Sequence, residues 1–238
     1  MAVSYSSLPS SAIAGIVYHS SIFDVNKDIV VSFDYACYGS SSTGDEGFCV
    51  SFVGLSSNTV ANGGPGPGLG YTPVSGITAF VNGQGYQSSF LGLSGGMIGV
   101  GFDLTGNFGT LGFGVDGMIT PVPNSITIRG SSDNNYNFLY NTGNIINNTT
   151  TPISLYQQTT DVSQLVYNRI RVRLSDFGNR VVVDIKRPQD LNFTNYVDVS
   201  NNISWPTYVK GCLSFTSGVT DTLLSIKNFN INGSLITK

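Results

Sequence analysis

The sequence predicts an all-β protein built as an antiparallel sandwich of two facing sheets. Apolar and polar residues alternate with a period of two along much of the chain, as in half-buried strands. The alternating runs are short and are separated by clusters of Gly, Pro, Asn and Ser, which favour turns. Hydrophobic residues make up 40% of the 238 residues, with 14 Phe and 12 Tyr, enough to build a large core. We therefore expect residues 1–238 to form a single sandwich domain.

The first clear strands lie in the N-terminal quarter of the chain. In "DIVVSFDYAC" the polar Ser32 and Asp34 face away from a set of alternating apolar residues. That set consists of Ile29, Val31, Phe33, Tyr35 and Cys37. The run "GFCVSFVG" follows, with Phe48, Val50 and Phe52 on one face. Both runs predict strands that bury one face.

The C-terminal half predicts a hairpin and a closing strand. In "RIRVRL" Ile170, Val172 and Leu174 face inward while the three arginines face solvent. "DFGNR" then turns the chain at Gly178-Asn179, and "VVVDIK" returns. The run "LLSIKNFNI" is the predicted last strand.

Two segments interrupt the strand pattern. Residues 56–76 contain three of the nine prolines and predict a long, constrained loop. Residues 130–165 are rich in Asn and Thr and predict an excursion, with short strands at "YNFLY" and "ISLYQ".

Composition excludes several classes of partner. Charged residues are only 11% of the chain, the net charge is −3, and no basic face is apparent, which argues against nucleic acid. No apolar run is long enough for a membrane helix, and the N-terminus lacks the features of a signal peptide. Cys37, Cys49 and Cys212 have no paired spacing, so we expect buried thiols.

Catalysis is disfavoured by the scarcity of suitable side chains. The chain has one Glu, Glu46, and one His, His19. Glycosidases use two acids at a fixed separation, and the neighbouring Asp45 would point to the opposite side of an extended chain. We therefore expect a protein that is not an enzyme.

The stretch "GFDLTGNFG" (101–109) has two interpretations. The Asp103 carboxylate, the Thr105 carbonyl and the Asn107 amide are oxygen donors two residues apart, an order that suits a calcium ion. The same residues are also good turn formers.

Three stretches together resemble the L-type (legume-type) lectins. They are an acid-Gly step before a strand, a Gly-rich loop containing Leu-Gly, and a strand ending in Phe-Asp with Asn four residues later. In this chain they read "GDEGFCVSFVG" (44–54), "GPGPGLGYTP" (64–73) and "GVGFDLTGN" (99–107). The stretches 167–186 and 213–231 are similar to late strands of that family. The resemblance implies a concanavalin A-like, jelly-roll type sandwich.

The resemblance also implies a sugar site where the three loops meet. An acid, Asp45 or Glu46, would accept hydrogen bonds from sugar hydroxyls, and a Gly amide, Gly68 or Gly66, would donate one. Asn107 would bridge a calcium ion and the sugar. An aromatic ring, Phe108 or Tyr71, would stack on the sugar's apolar face.

The metal ligands depart from the family pattern. Members with two metals have a Glu at the position of Gly101 and use a downstream His, and no His follows His19 here. The resemblance therefore predicts no transition metal. A calcium ion is implied as a possible cofactor, held by Asp103, Thr105 and Asn107, with Asp116 as a substitute for the missing second carboxylate.

Two functions remain open on this fold. The first is a carbohydrate-binding protein that attaches its carrier to glycans. The alternative is a structural protein that keeps the sandwich without binding sugar. Low charge and abundant Gly, Ser, Thr and Asn resemble virion proteins of phages and other viruses, so we expect a tail, fibre or capsid decoration assembled in the host cytoplasm. Other virion proteins and further copies of the chain are expected partners.

Overall fold

A computed structural model describes residues 13–55, 63–81, 84–111, 115–148, 151–217 and 222–234. Within these residues the secondary structure consists of β-strands and short 3-10 turns. No helix in this part of the chain is long and apolar enough to cross a membrane. The 3-10 turns are Gly66–Gly68, Asn107–Gly109, Ser132–Asn134, Ile145–Asn147 and Val162–Gln164.

The strands follow one another in chain order from β1 to β15. They are β1 Ile13–Tyr18, β2 Phe23–Asp24, β3 Ile29–Gly39, β4 Gly47–Gly54, β5 Val74–Val81, β6 Gln84–Phe90, β7 Gly96–Asp103, β8 Ser125–Arg129, β9 Phe138–Asn141, β10 Gln157–Gln158, β11 Asn168–Ser175, β12 Arg180–Lys186, β13 Thr194–Ser200, β14 Tyr208–Ser217 and β15 Leu223–Asn232.

Two large sheets face each other. The seven-stranded sheet has the order β1-β14-β4-β7-β8-β9, with β2 paired to β14. The six-stranded sheet has the order β10-β3-β11-β12-β13, with β15 paired to β3. Except for the short parallel pairing of β10 with β3, the pairs in these sheets are antiparallel. Strands β5 and β6 form a separate two-stranded sheet.

The inner core lies between the two large sheets. Apolar side chains from β3, β11 and β12 on one side meet those from β4, β7 and β8 on the other. At its centre the Phe48 ring stacks on the Phe102 ring, with centroids 4.6 Å apart. The centroid of the Tyr35 ring lies 5.3 Å from that of Phe48. The alternation predicted for β3 and β11 is confirmed, because their outward residues, apart from the buried Ala36, are only partly buried or exposed.

The outer face of the seven-stranded sheet is also covered. Residues of β4, β7 and β8 are buried on both faces. A second cluster, which we call the outer core, fills this side; it comprises Cys49, Val53, Leu69, Tyr71, Leu93, Phe108, Val115, Tyr136 and Cys212. Leu69 and Tyr71 from the loop at 63–73, with Phe108 and Val115 from the segments 104–111 and 115–118, supply part of its outer layer. The three cysteines are buried and free, as predicted, with Cys37 in the inner core.

Two glycines of β7 make room for this outer layer. A Cβ at Gly99 would lie 2.5 Å from the ring of Tyr71, and one at Gly101 would lie 2.3 Å from the ring of Phe108. The missing side chains let both rings lie directly on the sheet. The Phe108 ring therefore occupies the space that a larger side chain at position 101 would need.

The excursion at 130–165 forms less sheet than predicted. Strand β9 overlaps the predicted run "YNFLY", whereas "ISLYQ" reaches only the first residue of β10. The reason is that Ile153 and Leu155 are buried in the inner core. Their backbone groups bond to the side chain of Asn124, whose Nδ2 donates to the Ile153 carbonyl at 2.9 Å and whose Oδ1 accepts from the Leu155 amide at 2.7 Å. Of the predicted loop 56–76, residues 56–62 lie outside the described part.

Candidate carbohydrate-binding site

Three turns distant in sequence meet at one end of the seven-stranded sheet, which we call the rim. Gly47 at the start of β4 pairs with Asp103 at the end of β7 and with Thr216 of β14. The Glu46 carbonyl accepts a hydrogen bond from the Leu104 amide at 2.7 Å. The Thr216 hydroxyl donates to the Gly66 carbonyl at 3.0 Å. The sheet register therefore brings the three predicted loops together.

The glycine-rich turn is folded back on the sheet. Gly66 has a φ of +64° and Leu69 a φ of +48°, so the chain reverses tightly between them. The Ser214 hydroxyl donates to the Leu69 carbonyl at 2.5 Å. Gly66 and Gly68 are buried, and the Gly68 amide donates to the Pro65 carbonyl at 3.4 Å within the turn itself.

Asp103 organises the third turn from within. Its side chain is buried, and Oδ1 accepts from the Gly106 amide at 2.7 Å while Oδ2 accepts from the Phe108 amide at 2.8 Å. The Thr105 hydroxyl lies 3.3 Å from Oδ1. Burial raises the pKa of Asp103 from its usual 3.8 to about 6, although these hydrogen bonds oppose the rise. Asp103 therefore fixes the shape of the turn.

Glu46 is the acid directed toward this turn. Its Oε2 lies 3.4 Å from the Thr105 hydroxyl, and the side chain is 9% exposed. Burial raises the pKa of Glu46 from its usual 4.5 to about 8, and the neighbouring Asp45 and Asp103 add to the rise. At neutral pH the carboxyl is therefore mostly protonated.

The backbone of Glu46 is strained. Its φ of +59° places it in the left-handed region, which costs a non-glycine residue about 1 kcal/mol or more and is enriched at functional sites. Asp45, by contrast, is half-buried, and its amide donates to the Thr222 hydroxyl at 2.9 Å. The two adjacent acids thus have different surroundings.

Asn107 lies at the surface of the rim. It begins the 3-10 turn Asn107–Gly109, and its carbonyl accepts from the Thr110 amide at 3.1 Å and hydroxyl at 2.8 Å. The residue is half-buried, and within the described residues its side-chain amide makes no hydrogen bond. The donor and acceptor of this amide are therefore available to a ligand.

The two aromatic rings predicted to stack on a sugar face the interior. Phe108 is 1% exposed and Tyr71 is 0% exposed. Their rings meet edge to face with centroids 6.5 Å apart, and the Tyr71 hydroxyl donates to the Gly130 carbonyl at 2.8 Å. Both rings belong to the outer core and offer no face to a ligand.

Asp116 does not join the other predicted metal ligands. Its Oδ1 accepts from the Phe138 amide at 2.7 Å and lies 3.4 Å from Nη1 of Arg129. Calcium takes 6–8 oxygen ligands, yet both Asp103 oxygens already accept from N–H groups. Among the described residues no group of three or more His, Cys, Asp or Glu could hold a metal ion. The residues of the rim, as arranged here, do not fit calcium.

Arg129 is the residue of this region that sequence reasoning missed. Its side chain is buried at the end of β8, where it contacts the backbone of the third turn and the loop that follows. The available signal was a single arginine closing the otherwise uncharged strand "SITIR" in a chain with few charges.

Solved structures similar to this chain include lectins. Neither a protein-family model nor a curated protein sequence matches this chain. Peanut lectin with a 9-mer peptide is similar over 98% of this chain and 85% of its own, with 13% identity and a TM-score of 0.60. Lectin UEA-II complexed with galactose covers 97% and 85%, with 13% identity and a TM-score of 0.57.

A third similar structure comes from the VIP36 exoplasmic/lumenal domain. Its Ca²⁺/Man3GlcNAc-bound form covers 97% of this chain and 79% of its own, with 12% identity and a TM-score of 0.56. These likenesses show the fold of the L-type lectins and confirm the predicted antiparallel, concanavalin A-like sandwich.

Proposed function

We propose that this protein binds carbohydrate, without catalysis, at the rim formed by Glu46, Asn107 and the glycine-rich turn at 65–69. The observation that supports this most is the convergence of the three turns through the pairing of Gly47 with Asp103 and the bond from Thr216 to Gly66. The proteins with the same fold supply further support, since one is complexed with galactose and another with Man3GlcNAc.

The rim offers hydrogen-bonding groups suited to sugar hydroxyls. The Asn107 amide can donate two hydrogen bonds and accept others, and no described residue competes for them. A protonated Glu46 carboxyl, which the raised pKa favours at neutral pH, can both donate and accept. Together they could engage two neighbouring hydroxyls of one ring.

The acids of the rim suit binding better than hydrolysis. Hydrolysis of a glycosidic bond usually needs two carboxyl groups that both reach the substrate. Asp103 is fully buried and accepts bonds from the Gly106 and Phe108 amides, so it is committed to the turn. Of Glu46 and Asp103, it is therefore Glu46 whose side chain reaches solvent.

Binding to immobilised glycans tests the proposal. We expect the wild-type protein to bind glycans ending in galactose or mannose, and Asn107→Ala and Glu46→Ala to weaken that binding about tenfold or more. Asn147→Ala and Asp133→Asn are matched controls, because both residues are exposed and distant in sequence from the rim turns. Equal binding by all four variants would refute the site, and no binding by a folded wild type would favour a purely structural role.

We also propose that the protein is a virion component that attaches its particle to glycans and works as a homo-oligomer. Support comes from composition: charged residues are 11% of the chain, and Gly alone contributes 29 residues. Detection of the chain by mass spectrometry in purified particles, with light-scattering mass above that of one chain, would support this. A monomer absent from particles would refute it.

A further inference from the structure

The Arg129 guanidinium is enclosed by backbone carbonyl groups. The side chain is fully buried although its nearest acid, Asp116, has a side chain that is 60% exposed. Burial lowers the pKa of Arg129 from 12.5 to about 10, so the group remains charged at neutral pH. A buried charge is stable only when its polar atoms are bonded.

Its N–H groups bond to three separate segments. Nε donates to the Phe108 carbonyl at 2.8 Å, and Nη2 donates to the Thr110 carbonyl at 3.0 Å. Nη1 donates to the Asp116 carbonyl at 2.6 Å and to the Tyr136 carbonyl at 3.2 Å. The planar fork of five donors thus meets four carbonyl oxygens that come from the rim turn, the following loop and the turn before β9.

The loop after the rim turn closes around the same group. The Leu111 amide donates to the Met118 carbonyl at 2.7 Å, and the Met118 amide donates to the Gly109 carbonyl at 2.9 Å. The guanidinium carbon also lies 5.7 Å from the centre of the Phe108 ring. Arg129 therefore holds the middle and the C-terminal end of the 3-10 turn that begins at Asn107.

We propose that Arg129 is a built-in cation that holds the rim in its binding shape, so that the rim is assembled without a metal ion. A guanidinium bonded to several carbonyl oxygens can order the loop as a hard cation would. Its role as a positioning residue for Asn107 rests on the proposed carbohydrate binding. Its role in ordering the loop does not.

The wild-type protein gives the first test. We expect the same melting temperature and the same amide hydrogen exchange in peptides 104–111 and 115–119 in millimolar CaCl2 and in EDTA. A rise in melting temperature with calcium, or faster exchange of these peptides in EDTA, would overturn the proposal.

Removal of the cation gives the second test. We expect Arg129→Ala to speed exchange in these peptides about tenfold or more, since each bond from a charged donor is worth that factor. Millimolar guanidinium should restore protection in this variant, while equal NaCl or urea should not. Arg180→Ala is the matched control, because Arg180 is exposed and pairs with Asp198 on the other sheet.

A conservative variant covers the case in which Arg129→Ala fails to fold. Arg129→Lys keeps the charge and the apolar stem but cannot reach all four carbonyls, so exchange should rise in the same peptides of a folded protein. Unchanged exchange in Arg129→Lys, or rescue of Arg129→Ala by urea as well as guanidinium, would refute the proposal. These readouts use no glycan, so failed glycan binding with these results intact would remove only the proposed function.

Discussion

Gly101→Ala should destabilise the protein because the new methyl group would overlap the Phe108 ring. The added Cβ would lie 2.3 Å from Cδ1 of Phe108 and 3.1 Å from Cδ1 of Leu69. The ring cannot move away freely, because Tyr71 and the Arg129 guanidinium contact its other sides. Overpacking of this kind costs about 1–3 kcal/mol. Each kcal/mol lowers the melting temperature of a chain of this size by about 2–4 °C.

A double-mutant cycle identifies the ring as the cause. Phe108→Leu removes Cε1, which would lie 2.4 Å from the new methyl group, and replaces the rigid ring with a side chain that can rotate away, so Gly101→Ala should cost less in that background. We expect a coupling free energy of about 0.5–3 kcal/mol between the two sites. Gly15→Ala is the control, because no atom lies within 4 Å of a Cβ at that position.

Urea unfolding of the four proteins of the cycle and of the control measures these free energies. A cost for Gly101→Ala that is the same with and without Phe108→Leu would refute the reasoning. An unchanged stability in Gly101→Ala alone would show that the ring does not lie on β7. The same displacement should lift Asn107 from the rim, so glycan binding should fall with stability.

Three further predictions follow from buried polar groups. Because the pKa of Glu46 is raised, chiefly by burial, to about 8 in the folded state, its contribution to stability is full below pH 4.5 and is lost as pH rises to 8. Glu46→Gln should therefore be more stable relative to wild type at pH 8.5 than at pH 5, by up to about 3–5 kcal/mol in urea unfolding, and an equal difference at both pH values would contradict this. Tyr71→Phe leaves the Gly130 carbonyl without its donor and should cost about 0.5–1.5 kcal/mol in the same assay; no measurable cost would exclude this bond. Thr216→Val removes the bond to Gly66 and should speed amide exchange in peptides covering 64–72, with unchanged exchange as the contrary result.

The sequence predicted best the strands with one exposed face. In β11 Ile170 faces the core and Arg171 faces the surface, so the polarity of each residue indicates whether it is buried. That the turns carrying Glu46, Gly66 and Asn107 lie at the same end of the sheet was also predicted, because loop order along a known sandwich pattern determines which strand ends become neighbours.

The interior roles of the aromatic residues could not be predicted in the same way. Phe108 and Tyr71 lie in turns. From sequence alone, a residue in a turn is expected to be exposed unless another part of the chain is known to cover that face of the sheet. The outer core exists only because Gly99 and Gly101 lie beneath these rings, from another part of the chain. The ion pair of Asp116 with Arg129 could not be predicted either, because the sequence around Asp116 does not specify the path of the loop that brings the two residues together.

The three buried thiols can report the order in which parts of this protein unfold. Burial raises the pKa of each, that of Cys212 to about 12, so the reactive thiolate is scarce until the surrounding layer separates. Cys49 and Cys212 lie under the rim loops, whereas Cys37 lies between the sheets. The order in which an alkylating reagent reaches them would therefore show whether the layer that carries the rim detaches before the sandwich itself comes apart.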